Sequence, residues 1–283
     1  MAEIPNLRLS LTNSAENVLV VRQALTGAAA CLALDAIETN DLNTAVTEAC
    51  NNVVMHAYEG EEGPLEVELY ARRQAVVVVV RDHGRGMRSP EHTDTADHTA
   101  MGIPVIEALT SEVRFDEPAD GGTEVRMQFD TPNATALEPL AGDAWEAALA
   151  TVPDPGKLAG AVELRLAPTA IARAVLPRVL SVLAARAHFT TDRISDVQLV
   201  ADVLAANAGD SITGSHLDVG VAVAPRNLEL RIGPLVTGRG ESLMTAAADG
   251  LAPVIERLTD GQRIAATRTD FAETLELRLV DQR

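Results

Sequence analysis

Two periodicities alternate along the chain. Leu7–Leu11 alternates apolar and polar residues as a strand does, and Ser14 or Glu16 opens a helix running to about Leu34. In Asp41–His56, DLNTAVTEACNNVVMH, the residues Leu42, Ala45, Val46, Ala49 and Val53 recur at helical spacing. Asn40 or Asp41 stands where the N-cap of that helix belongs. Leu65–Tyr70 and Gln74–Arg81 read as a hairpin turning at Arg72–Arg73. The run AVVVVV is β-branched throughout, as a strand covered on both faces requires. It stops at Asp82-His83-Gly84-Arg85-Gly86-Met87, and a polar loop, Arg88–Thr99, follows. Gly102 starts a short helix ending near Leu109, and Glu112–Phe115 and Thr123–Asp130 form a second hairpin across Pro118–Gly122.

Thr131–Lys157 breaks these patterns with four prolines and an Ala-rich piece around Trp145, and reads as a linker. Then the order begins again. Leu164-Arg165-Leu166 echoes Leu7-Arg8-Leu9, and Ile194–Ala208 echoes the helix of Glu48 at an offset of 155. Pro253–Thr259 echoes Pro104–Thr110, and Thr274–Asp281 echoes Thr123–Asp130. Ordered echoes of this size predict two domains of one fold, residues 1–131 and 159–283, joined by a linker at 132–158. The second copy keeps the architecture but not the polar constellation. Glu48 falls on Val203, Asn52 on Asn207, and Arg231-Ile232-Gly233-Pro234 offers no counterpart to Asp82.

Composition narrows the chemistry. A net charge of −18 over 283 residues argues against binding nucleic acid or an anionic membrane. One tryptophan, two tyrosines and four phenylalanines leave few platforms for stacking bases. Cys31 and Cys50, in Ala-rich helical stretches, read as small apolar core residues of a reduced, cytoplasmic protein. No signal peptide is recognised at the N-terminus, and the run Ala75–Val80 is too short to span a bilayer. Lys157 is the sole lysine and no GxxxxGK[ST] run exists, so any nucleotide must be gripped by backbone amides, arginine and metal.

Glu48, Asn52 and His56 stand four residues apart, so they share one face of their helix beside the apolar seam. A carboxamide oxygen can ligate Mg²⁺, and a carboxylate one turn away can take a proton from an attacking hydroxyl. Taken alone, the same stripe suits an ordinary surface helix. Asp82, at a strand end before Gly84 and Gly86, can accept a hydrogen bond from an exocyclic amine, which adenine offers and guanine does not. A plain Asp-x-Gly turn would look the same. Met101-Gly102-Ile103 puts a glycine at a helix start, where amides and dipole suit phosphate, and Gly121-Gly122-Thr123 offers a hydroxyl or an ordinary turn.

In that order the segments resemble the GHKL (Bergerat-fold) ATPases, and among them the anti-sigma factor serine/threonine kinases of partner switching. TEACNNVVMHAY (Thr47–Tyr58) resembles the N box, and RDHGRGM (Arg81–Met87), AMGIPVIEAL (Ala100–Leu109) and GGTEV (Gly121–Val125) the three glycine boxes. The resemblance covers Leu7–Asp130, with a decayed version over Leu164–Asp281. It implies an α+β fold of two tandem two-layer sandwiches, each a mixed sheet with helices on one face. It implies ATP and Mg²⁺ as cofactors, Glu48 as base, Asn52 as metal ligand and Asp82 as adenine anchor. Gly84, Gly86, Met101, Gly102, Ile103 and Thr123 would complete the nucleotide site. Ala100 departs from the family's usual glycine before Met101 and bears on lid closure. The implied partners are a sigma factor and a STAS-type antagonist carrying the phosphorylated serine or threonine. A non-catalytic ATP-binding docking module is the alternative. A histidine kinase catalytic domain fits poorly, since fewer than forty residues precede the helix of Glu48. Duplication also leads us to expect a monomer whose second domain supplies the partner surface of a dimer.

Overall fold

The computed structural model describes residues 4–86, 99–119, 121–135, 162–214, 216–246, 253–266 and 272–282, with backbone alone at 99–101. The polar loop Arg88–Thr99 up to residue 98, Met87, and the linker from residue 136 with Trp145 and Lys157 lie outside the described residues. The chain divides into two compact units, Pro5–Leu137 and Glu138–Arg283 with Met1–Ile4. No described helix is long and apolar enough to cross a membrane.

In the first unit the elements run β1 (Leu7–Thr12), α1 (Ala15–Cys31), α2 (Ala36–Asn52), a π turn (Val53–Ala57), β2 (Pro64–Arg72), β3 (Ala75–Asp82), α3 (Thr99–Leu109), β4 (Glu112–Asp116) and β5 (Glu124–Asp130). The strands lie in the order β4-β5-β3-β2-β1. Every pairing is antiparallel, so the sheet is not the mixed one expected. The return through α3 and β4 brings β5 back against β3 in the opposite sense.

Alternation builds the core. Leu7, Leu9 and Leu11 of β1, Leu65, Val67 and Leu69 of β2, and Val76, Val78 and Val80 of β3 are buried on one register set with Val125, Met127 and Phe129. Leu42, Ala45, Val46, Ala49 and Val53 of α2 are buried too, as their spacing predicts. The run of valines is covered on both faces. Val77 and Val79 cluster with Tyr70 on the alternate set, where Arg8 pairs with Glu66 at 3.1 Å and Tyr70 Oη donates to Glu68 at 2.7 Å.

Three local expectations change. Helix α2 starts at Ala36, five residues before Asp41, because Asp35 accepts from the Ile37 and Glu38 amides while Glu38 accepts from the Asp35 amide. The helix then widens into the π turn at Val53, so the polar stripe does not reach His56 regularly, and His56 is exposed. Of the cysteines, Cys50 is buried and its thiol is pushed up to about 12 by burial, whereas Cys31 is only half-buried.

The second unit runs β6 (Val162–Leu166), a 3-10 turn (Thr169–Ile171), α4 (Ala172–Arg186), α5 (Thr191–Ser211), β7 (Leu217–Ala224), β8 (Asn227–Val236), α6 (Arg239–Met244), α7 (Val254–Leu258), β9 (Gly261–Ala266) and β10 (Ala272–Val280). Its strand order, β9-β10-β8-β7-β6, matches that of the first unit strand for strand. The match extends to caps. Helix α1 ends with Ala33 N–H on Ala30 O and Leu34 N–H on Ala29 O, Ala33 being left-handed at φ 56. Helix α4 ends with His188 N–H on Ala185 O and Phe189 N–H on Ala184 O, His188 being left-handed at φ 60. Each pair stands 155 residues apart. The Thr110 hydroxyl donates to Ile106 O at 2.8 Å, and the Thr259 hydroxyl to Ile255 O at 2.7 Å.

Candidate functional site

Glu48 and Asn52 lie on the last turns of α2, both half-buried. The first turns of α3 pack against them. A Cβ added at Gly102 would stand 3.5 Å from both Glu48 Oε2 and Asn52 Oδ1, so glycine leaves the backbone open to these two oxygens. Gly102 is the fourth residue of α3, on its first turn and next to the amides that have no partner inside the helix. Ile103 follows it, half-buried, and the side chain of Met101 lies outside the described residues. The arrangement places a carboxylate, a carboxamide and the positive end of a helix together. Among the described residues no cluster of three or more His, Cys, Asp or Glu could hold a metal unaided. Mg²⁺ is ordinarily held by few protein oxygens with waters and substrate phosphates completing its shell, and the Asn52 carboxamide oxygen beside the Glu48 carboxylate is a donor set of that kind.

The second cluster sits at the end of β3. Asp82 continues the inward set Val76, Val78 and Val80, and is 3% exposed. Its Oδ1 accepts from the Gly84 amide at 2.8 Å, and its own amide donates to Thr123 O at 3.0 Å. Thr123 therefore stands across from Asp82 at the next ladder position after Arg81↔Glu124. Gly122, at φ 85, lies so close that a Cβ would collide with Asp82 O. Gly86 is left-handed at φ 76, with Gly122 O close by.

The π turn ties the two clusters together. Arg85 N–H donates to Ala57 O at 3.2 Å, and Gly84 has no room for a Cβ against the same carbonyl. Tyr58, next in the chain, donates to Pro64 O at 2.6 Å and accepts from His83 N–H at 2.8 Å. Burial raises its phenol pKa, Asp82 and Glu66 add to this, and the His83 amide opposes it. At the rim Arg85 pairs with Glu59. Glu48, Asn52 and Gly102 thus meet, as do Asp82, Gly84, Gly86 and Thr123. Ala57 and Tyr58, which join them, were not singled out by sequence. A tyrosine closing the N-box segment, one of two in the chain, was the available signal.

In the second unit the corresponding positions carry other contacts. Val203 is buried, and Asn207 turns its amide back onto Val203 O at 2.8 Å. Counted from the left-handed hairpin residues Gln74 and Arg226, Asp82 falls on Pro234, which has no carboxylate. Glu273 is buried and accepts from the Gly240 amide at 2.5 Å.

Residues 11–129 match the family described as the histidine kinase-like ATPase domain. Serine-protein kinase RsbW of Bacillus licheniformis is 32% identical over 125 residues, which cover 40% of this chain and 77% of that protein. The chain belongs to the anti-sigma factor kinases of the histidine kinase-like ATPase family. Another relative, an anti-sigma F factor of Clostridium botulinum, is 28% identical over 131 residues, covering 43% of this chain and 92% of that protein. Among solved structures, the histidine kinase domain of the E. coli osmosensor EnvZ aligns over 50% of this chain and 98% of that domain. Its TM-score of 0.26 at 13% identity is too low to carry an argument.

Proposed function

We propose that the first unit of this protein binds ATP with Mg²⁺ and phosphorylates a serine or threonine of a STAS-type antagonist, while the protein holds a sigma factor. The names of its relatives, a serine-protein kinase and anti-sigma F factors, support the general kind. The observation that carries the reading is the closeness of Gly102 to Glu48 Oε2 and Asn52 Oδ1, which sets helix amides, a carboxylate and a metal-type oxygen side by side. When bound, Mg²⁺ neutralises the charge developing on the transferred phosphoryl group. Asn52 Oδ1 would hold that ion. Glu48 Oε2 would take the proton of the attacking hydroxyl. The amides of the first turn of α3 would grip phosphate oxygens, and the Asp82 carboxylate would accept from the adenine amine. Incubating the protein with ATP, Mg²⁺ and STAS-type antagonists tests this: transfer to a serine or threonine is expected, and ATP binding without transfer to any of them favours the docking-module alternative.

We propose further that the second unit arose by duplication and has no nucleotide site. The matching strand order and helix caps support the duplication, and buried Val203, inward-turned Asn207 and Pro234 support the loss. Calorimetric titration of the whole chain should give one ATP per chain, and a stoichiometry of two would reject the asymmetry. With the family's dimer partner surface supplied within one chain, light scattering should report the monomer mass of 29.9 kDa. A dimer mass at every concentration would sink that expectation.

A further inference from the structure

The β2–β3 ladder stops abruptly beside the adenine anchor. Its last rung is Leu65↔Asp82, and the next position would oppose Pro64 to His83. Among the described backbone bonds none joins these two residues. The Tyr58 hydroxyl stands between the two groups, donating to Pro64 O at 2.6 Å and accepting from His83 N–H at 2.8 Å. The phenol therefore bridges β2 and β3 one residue past Asp82 and satisfies both backbone groups.

The bridging phenol is itself fixed from behind. Its ring lies flat against Gly63, where a Cβ would collide with ring carbons. Gly63 is fastened to Asn13 in both directions, its amide on Asn13 Oδ1 at 2.9 Å and its carbonyl accepting from the Asn13 amide at 2.9 Å. On the opposite edge of β3, the Asp82 amide stays bound to Thr123 O at 3.0 Å. The backbone carrying Asp82 is thus held by β5 on one side and by the phenol on the other. Its side chain adds the bond from Oδ1 to the Gly84 amide. A shift at His83 would be passed to that bond one residue on, and so to the direction of the carboxylate.

We propose that Tyr58 is a positioning residue for nucleotide specificity, setting the angle of the Asp82 carboxylate by bridging the end of the β2–β3 ladder. This rests on the reading of Asp82 as the adenine anchor. Tyr58→Phe keeps the ring over Gly63 and removes only the hydroxyl. Pro64 O and His83 N–H must then close on one another or turn to water, and either outcome swings the Asp82–Gly86 segment.

The test is a calorimetric titration of the full-length chain with Mg-ATP and Mg-GTP, for wild type, Tyr58→Phe, Asp82→Asn and the double variant. Tyr58→Phe is expected to weaken ATP binding about three- to tenfold, the worth of one hydrogen bond, and to narrow the preference for ATP over GTP by a similar factor. In the Asp82→Asn background the same change should cost less than about twofold, since its route to the base is already cut. A merely structural role would not narrow the base preference, nor would its cost vanish in that background. Wild-type ATP affinity in Tyr58→Phe, or an equal loss in both backgrounds, overturns the proposal while leaving the nucleotide site intact. Failure of the wild-type chain to bind ATP takes down the reading of the site and this proposal with it. Should Tyr58→Phe lose its folded circular-dichroism spectrum, Gly63→Ala carries the test, because it pushes the ring from the far side and leaves the hydroxyl in place. A loss of threefold or more then supports the bridge, and unchanged affinity overturns it.

Discussion

Replacing Glu48 by glutamine is expected to slow phosphoryl transfer by about 10²–10⁴-fold, the usual contribution of a general base, while ATP affinity changes by less than about twofold. Glutamine keeps the length and the hydrogen-bonding reach of the side chain but cannot accept a proton at the working pH. Its amide would still lie 3.5 Å from the space beside Gly102, so the backbone of α3 has no reason to move. Rapid-quench measurement of phosphorylated antagonist gives the rate, and calorimetry gives the affinity. Asn51→Ala is the matched control, because residue 51 sits about 100° round the helix from Asn52. It should leave Mg²⁺-dependent binding unchanged. Undiminished transfer by Glu48→Gln would reject Glu48 as the base.

Asp82→Asn should act on binding instead. A carboxylate offers only acceptors, whereas a carboxamide can present its amino group to the adenine amine and lose the bond. Hydrogen bonds to a charged group are worth about 1.5–3 kcal/mol, so ATP affinity should fall roughly 10- to 150-fold. Because Asp82 is 3% exposed, water cannot replace the lost acceptor cheaply. The fold should survive, since asparagine can keep its oxygen on the Gly84 amide as Oδ1 now is. ATP affinity within threefold of wild type, in a protein with an unchanged melting curve, would show that Asp82 does not read the base.

The first unit was largely legible because its core obeys simple periods. The alternation of β1 and the seam Leu42, Ala45, Val46, Ala49 and Val53 are direct consequences of side chains pointing alternately or every third and fourth residue. The start of α2 was misplaced for a related reason. Periodicity marks only the part of a helix that packs, and Ile37 is 72% exposed, outside the stripe. The Asp35–Glu38 capping box was the better signal. The direction of strand pairing is carried by no local pattern, which is why the mixed sheet proved antiparallel. At the site, Glu48, Asn52 and Gly102 could be named from motif spacing, but the contact between them depends on how α3 packs. Tyr58 escaped because its two bonds reach backbone groups 6 and 25 residues away, and nothing in the side chain's identity announces such partners.

The π turn at Val53–Ala57 makes the spacing of the site a matter of how five residues wind. Such a turn is an α-helix carrying one residue more than its regular register accommodates, so it can enter or leave a lineage by a single in-frame codon. Winding the same five residues as regular α-helix would carry everything beyond roughly a quarter turn further round relative to Asn52. The Ala57 carbonyl would leave the Arg85 amide and the Tyr58 hydroxyl would leave His83, with every motif residue still in place. A sequence comparison scoring only residue identities would pass such a chain as intact, although its phosphate end and its base end no longer faced the same nucleotide.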